Sequence, residues 1–330
     1  MAPNVDDYNR EITYLRVSVI DRCNLRCIYC QPVKNLKLLH HADILTYEEI
    51  LRVVEAATQM GISKVRVTGG EPLIRRNLLN FLFRLCRMPG LNEVSITTNG
   101  VLLKQKAKAI FDAGVRRLNV SLDTLNPLKY AKITGRPCFE DVWGGLEAAE
   151  AIGFSPIKLN VVAMRGVNDN EFRRFAELSV RKPYHVRFIE YMPVGLDSQW
   201  KPEKYISSDE IKCKLESFGT LHKIPRSPCD GPAERYRFES ARGEIGFISA
   251  LSHHFCPSCN RLRLLSDGKL RPCLFSDEEV DIKTALRSGC SQEDIKALFH
   301  EAISRKPERH HAEMLQKGAE LLHPMSAIGG

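Results

Sequence analysis

From about residue 12 to 190 the chain alternates short runs rich in β-branched residues with longer runs in which apolar residues recur every three or four positions. This βαβα order predicts a parallel sheet covered by helices. Strands are expected at residues 12–20, 64–68, 93–98, 117–122, 157–163 and 185–189. Between the first two, Thr46 and Glu49 form a capping box, and Ile50, Val53, Val54, Ala57 and Met60 give the apolar stripe of a helix that Gly61 ends. Roughly six βα units result, too few for a complete eightfold barrel. The expected fold is therefore α/β, an incomplete (β/α)6 barrel.

After the turn-rich stretch 225–232 the pattern changes. Two short strands, at 235–238 and 245–248, precede a cysteine-rich segment, an Asp267-Gly268 hairpin signal and helical periodicity from 281 to about 306. Two regions follow: 1–224, the barrel, and 225–330, a C-terminal region expected to close its open side.

Alternation within the strands places charge where apolar residues would be the default. In the first strand Leu15, Val17 and Val19 share one face, which leaves Arg16 and Ser18 on the other; in the second, Lys64, Arg66 and Thr68 are left in the same way. Lys158 and Arg187 repeat the pattern. With helices outside, these cations point into a lumen, and buried cations are costly unless an anion meets them. Internal carboxylates such as Asp123 or Glu190 could supply that charge, and so could a polyanionic ligand such as a nucleoside triphosphate. No P-loop or dinucleotide-binding fingerprint is present to hold phosphates.

Composition narrows the classes. The 330 residues are 43% apolar and 27% charged, which excludes disorder, and 48 basic against 40 acidic residues leave +8, a balance that suits anionic partners. No apolar run reaches the roughly 18 residues of a membrane span, and the opening residues lack a signal-peptide pattern, so a cytoplasmic protein is expected. In a reducing compartment, the eleven cysteines read as metal or cluster ligands where they cluster.

They cluster twice. Cys23, Cys27 and Cys30 form C-x3-C-x2-C directly after the first strand. Three thiolates on a loop at a strand's C-terminal end stand where α/β folds build active sites. A four-iron cluster held by three ligands keeps one iron open; the alternative is a zinc knuckle completed by His40 or His41. The second strand ends in Thr68-Gly-Gly-Glu-Pro72, where Gly69 and Gly70 permit close backbone approach and Glu71 offers a carboxylate to an ammonium group. The second set, Cys256, Cys259 and Cys273, is C-x2-C-x13-C, again three. Its alternative is a zinc ribbon completed by His253, His254 or Cys290. Arg261 and Arg263 follow on one face of a strand, placed to hold an anion beside that set. Cys86, Cys138, Cys213, Cys229 and Cys290 carry no pattern.

The motif C-x3-C-x-Tyr-C followed by Gly-Gly-Glu-Pro resembles the radical S-adenosylmethionine (SAM) superfamily. With the second triad and Arg261 and Arg263, the likeness over nearly the whole chain is to the GTP 3′,8-cyclases of molybdenum cofactor biosynthesis. The resemblance implies two 4Fe-4S clusters, with SAM on the open iron of the first and the guanine of GTP on that of the second. It implies SAM contacts at Tyr29, Gly70, Ser121 and Met192. GTP contacts fall to Arg16, Lys64, Arg66, Thr97, Lys158, Arg187, Arg261 and Arg263, and a terminal Gly329-Gly330 tail enters the site. The implied reaction removes hydrogen from C3′ of the GTP ribose with a deoxyadenosyl radical and closes a bond to C8, with no residue acting as nucleophile. An external one-electron reductant, a homodimer and a downstream cyclic pyranopterin monophosphate synthase follow from the same likeness.

Two other readings compete. A different radical SAM enzyme with an auxiliary cluster, such as a peptide or cofactor maturase, would carry a longer C-terminal cysteine set. A basic nucleic-acid-binding protein would display its cations in exposed stripes with aromatics, whereas here they lie on inward faces.

Overall fold

The computed structural model describes residues 4–30, 38–194, 200–226, 231–310, 312, 321 and 325–329. Six parallel strands, β1 (Tyr14–Ser18), β2 (Lys64–Thr68), β3 (Glu93–Thr98), β4 (Arg117–Ser121), β5 (Ile157–Ala163) and β6 (Tyr184–Glu190), lie side by side in chain order. Each crossover carries a helix: α1 (Tyr47–Gln59), α2 (Leu78–Leu85), α3 (Leu103–Asp112), α4 (Pro127–Thr134) with α5 (Phe139–Ile152), and α6 (Phe172–Arg181). The capping box of α1 forms as expected: the Thr46 hydroxyl accepts from the Glu49 amide at 3.1 Å and the Glu49 carboxylate from the Thr46 amide at 2.7 Å.

The main core lies between the sheet and these helices. Leu15, Val17, Val65, Val67, Val120 and Leu159 are fully shielded there, and burying side chains of this size stabilises by about 1.5–3 kcal/mol each. The alternate residues of the same strands must then face the other way, into the interior. The expected first strand at 12–20 is shorter because Val19 and Ile20 already turn toward the cysteine loop: the Val19 amide donates to Thr68 O at 2.9 Å and Ile20 O accepts from the Gly70 amide at 2.6 Å.

Past α7 (Ser208–Glu216), the chain adds β7 (Leu221–Lys223), β8 (Glu234–Phe238), β9 (Glu244–Ile248), β10 (Arg261–Leu264), β11 (Lys269–Arg271), β12 (Val280–Asp281), α8 (Ile282–Arg287) and α9 (Gln292–Ser304). One sheet of twelve strands results, in the order β12-β11-β10-β1-β2-β3-β4-β5-β6-β9-β8-β7. The C-terminal region thus enters at both ends of the barrel strands. β9 runs parallel to β6 with Gly246 opposite Arg187, and β10 runs parallel to β1 with Arg263 opposite Arg16. β7 and β12 are the outermost strands, so the sheet is an incomplete barrel. The Asp267-Gly268 turn joins β10 to β11 as a hairpin. Ser291 breaks the last helical pattern, capping α9 through a box with Asp294. Among the described residues, no helix is long and apolar enough to cross a membrane.

Candidate active site

The first cysteine loop leaves the C-terminal end of β1 and is held from two sides. Its Arg26 and Ile28 amides donate to Thr134 O and Ile133 O at the end of α4, at 2.8 and 3.0 Å. On the other side lies the Gly-Gly turn after β2, where the Glu71 amide donates to Arg22 O at 2.8 Å. A Cβ on Gly70 would stand 2.2 Å from Arg22 O, and one on Gly69 would stand 2.6 Å from Ile20 O. The glycines are therefore required first by the cysteine loop's own backbone. Glu71 departs from expectation: 1% exposed, its carboxylate accepts from the Thr98 hydroxyl, the Asn99 amide and the Leu73 amide at 2.7, 2.7 and 2.9 Å. It braces the end of β3 and is absent from the cavity wall, where an ammonium would need it.

Around this triad one cation, Arg26 donating to Cys23 O at 2.8 Å, stands among neutral and anionic groups. Cys23 Sγ accepts from the Leu25 amide at 3.4 Å and the Asn99 side chain at 3.7 Å. The Tyr29 hydroxyl donates to Asp123 at 2.7 Å, and burial pushes that carboxyl up to about 6. Burial, with Cys23 and Asp123 nearby, pushes the Cys30 thiol up to about 12.

The second triad is assembled from the turn at Cys256–Ser258, Cys259 just before β10, and Cys273 just after β11. Its surroundings are cationic. Burial alone would raise the Cys259 thiol, but Arg261 and Lys306 outweigh it and bring it down to about 6. The zinc alternatives find no support here. His253 binds Asp209 at 2.6 Å, His254 binds His310 at 2.9 Å, and Cys290 packs against the main core. Among the described residues, no three cysteine, histidine or acidic side chains are grouped to hold one metal ion. Three thiols in each set suit a cluster in which each thiolate takes its own iron.

Both triads line one cavity, and the inward faces of the strands form the wall between them. Arg16, Arg66, Arg187, Arg261 and Arg263 stand on that wall, as do Thr97, Ser121 and Met192, and Tyr29 and Gly70 beside the first triad. Lys64 and Lys158 do not line it. Lys64 pairs with Glu93 at 2.8 Å, because the parallel register sets the two opposite each other. Lys158 lies within electrostatic reach: burial, then Arg187, Arg66 and Lys64, depress its ammonium to about 7. Asp123 and Glu190 are engaged elsewhere, Asp123 by Tyr29 and the Val162 amide, Glu190 by the Ser208, Leu251 and Ser252 amides. Burial and repulsion from Arg263 depress the basicity of Arg16, so the cavity favours an incoming anion.

Polar atoms on the wall await partners. The Tyr14 and Thr97 hydroxyls and Arg187 Nε are buried without a hydrogen bond among the described residues, a cost of about 1–3 kcal/mol each that a polar ligand would relieve. Tyr14 is an addition to the expected wall, although its place two residues before Arg16 puts it on the same face. The C-terminal segment also reaches this wall. Gly329 O accepts from Arg16 at 2.8 Å and from the Thr68 hydroxyl at 3.1 Å. Its φ is +79°, and a Cβ there would stand 3.0 Å from Thr68 Cγ2, so only glycine fits without strain. Gly330 and Cys229 lie outside the described residues.

Comparison with known proteins matches two family models, which meet near the start of β6. A family model for the radical SAM superfamily matches residues 17–179, and one for Molybdenum Cofactor Synthesis C matches residues 184–312. The chain is 49% identical over 327 residues to the GTP 3′,8-cyclase of Thermodesulfovibrio yellowstonii, spanning 98% of this chain and 99% of that one. It is 46% identical over 327 residues to the GTP 3′,8-cyclase of Desulforamulus reducens, spanning 99% of this chain and 100% of the other. In fold alone it is similar to Streptococcus suis SuiB bound to the precursor peptide SuiA, with a TM-score of 0.61, 16% identity, and coverage of 94% and 67%.

Proposed function

The chain belongs to the GTP 3′,8-cyclase family, and from that premise we propose how its cavity divides the work of converting GTP to 3′,8-cyclo-7,8-dihydro-GTP, the opening reaction of molybdenum cofactor biosynthesis. The observation that carries the reading is the single cavity lined by two cysteine triads with a cationic wall between them. Cys23, Cys27 and Cys30 hold the first 4Fe-4S cluster, and Cys256, Cys259 and Cys273 the second. When bound and reduced, the first cluster supplies one-electron cleavage of SAM and with it the radical that takes hydrogen from the substrate ribose.

The protein's own task is positioning. Tyr29, Gly70, Ser121 and Met192 hold SAM beside the first triad. Arg16, Arg66 and Arg187 carry the triphosphate, Arg261 and Arg263 hold the nucleotide at the second triad, and Thr97 offers its hydroxyl. Lys64 and Lys158 act from behind the wall by charge. Fixed cations in a closed cavity orient the ribose toward the radical and keep water away without moving a proton themselves. Gly329, whose carbonyl faces Arg16 and Thr68, covers the anion site. Residues 1–224 supply the SAM half of the cavity and 225–330 the second cluster.

The setting is cytoplasmic, with an external one-electron donor, a homodimeric enzyme, and a cyclic pyranopterin monophosphate synthase consuming the product. The test is anaerobic turnover of the reconstituted protein with SAM and dithionite, with and without GTP. 5′-Deoxyadenosine together with a GTP-derived pterin, both dependent on GTP, is the expected result. Deoxyadenosine with no GTP product would remove the substrate assignment, and its absence with both clusters intact would remove the radical chemistry.

A further inference from the structure

Two cations are buried against the second triad that no motif marks. Lys306, just past the end of α9, is 3% exposed. Its ammonium donates to Arg261 O and Pro272 O, each at 2.9 Å, and to Cys259 Sγ at 3.4 Å. Arg261 lies two residues after Cys259, and Pro272 immediately precedes Cys273. One side chain therefore ties together the two segments that carry these cysteines.

Arg10 holds the other side. It is 6% exposed, and its guanidinium donates to Cys256 O at 3.0 Å, Pro307 O at 2.8 Å and Glu308 O at 3.2 Å, with Nε on the Asp6 carboxylate at 2.6 Å. The backbone that follows Lys306 is thereby pinned to the first cysteine of the triad. Lys306 has no freedom to swing toward solvent, and its partners among the described residues are two carbonyls and a sulfur, none of them a carboxylate. A buried ammonium is costly without a countercharge, and the atom among these partners that can supply one is the Cys259 sulfur as a thiolate.

We propose that Lys306 is a positioning residue for the second iron–sulfur cluster, with Arg10 as its anchor. The ammonium holds Cys259 in its ligand position and stabilises the added negative charge of the reduced cluster. The inference rests on the reading that Cys256, Cys259 and Cys273 carry a cluster. A hydrogen bond from a fixed cation to a ligand sulfur makes reduction easier, which is a property of the cluster and separable from turnover.

The test uses full-length reconstituted protein and the variants Lys306→Met and Lys306→Gln. Iron and zinc per chain are compared first between the parent and Cys259→Ala, then iron release to a chelator and the midpoint of the second cluster by EPR-monitored titration. In Lys306→Met the midpoint moves to more negative values and iron leaves the second site roughly 10- to 100-fold faster, while the first cluster is unchanged. Lys306→Gln keeps a donor without the charge, so it retains iron better than the methionine variant yet still shifts the midpoint. It decides the matter should Lys306→Met fail to fold by circular dichroism. Iron in the second site with a midpoint and release rate equal to the parent's in the folded variants would overturn this inference alone. Zinc in that site would overturn it together with the reading beneath it.

Discussion

The two cysteine triads face the same cavity but differ in how many cations surround them. Around the first, amides, a tyrosine, the Asp123 carboxylate and one cation, Arg26 on the Cys23 carbonyl, are the neighbours, and the Cys30 thiol is pushed up by burial to about 12. Around the second stand Arg10, Arg261, Arg263 and Lys306, and the Cys259 thiol is brought down to about 6 against its burial. The same donor atom in the same count is thus prepared for different charge. With Arg26 as its cation and the Asp123 carboxylate beside it, the first triad is the less favourable place for added negative charge. The more cationic shell of the second triad suits an anionic ligand. The contrast teaches that two triads with the same donor atoms can be set in unequal fields by residues outside the motif.

The comparison breaks most severely if one triad is removed. Cys23→Ala is expected to abolish deoxyadenosine formation while the second cluster persists, read as about half the iron per chain with a remaining EPR signal. Gly70→Ala should reach nearly the same end without touching a ligand, because its Cβ collides with Arg22 O and the cysteine loop must move; iron analysis would show the first cluster lost and the second kept. A smaller effect is expected from Arg263→Ala. Losing hydrogen bonds to a charged ligand costs about 1.5–3 kcal/mol, so KM for GTP rises roughly 10- to 100-fold with SAM binding unaltered; normal GTP turnover in this variant would remove the arginine from the substrate site.

The mildest test is by pH. With its ammonium at about 7 in the free protein, Lys158 is largely neutral at pH 8, and a bound polyphosphate raises its basicity. Binding of GTP then takes up a proton, and affinity falls as pH rises above about 7, the region where the free lysine has lost its charge. Calorimetry in two buffers of different ionisation enthalpy checks this, and Lys158→Met should remove the proton uptake.

Much of this is legible in the sequence because local patterns carry it. The period-2 alternation in β1 and β2 identifies the inward cations, the box at Thr46 and Glu49 starts α1, and the spacing of the six cysteines marks both triads. What is not legible depends on contacts between distant segments. No local signal tells that β9 and β10 join opposite ends of the same sheet, or that parallel register sets Glu93 against Lys64. Glu71 reads as a ligand group within its motif, yet Thr98 and Asn99, brought in by β3, occupy its carboxylate. Lys306 and Arg10 meet the second triad across 47 and 246 residues of chain.

The division of labour between the two clusters is the central claim, and EPR of single-cluster proteins tests it most directly. One protein would carry alanine at Cys23, Cys27 and Cys30, the other at Cys256, Cys259 and Cys273. Each would be reduced and examined with SAM and with GTP in turn. The account predicts that GTP changes the signal of the second cluster alone and SAM that of the first alone. A GTP-dependent change at the first cluster, or a second cluster indifferent to GTP, would contradict it.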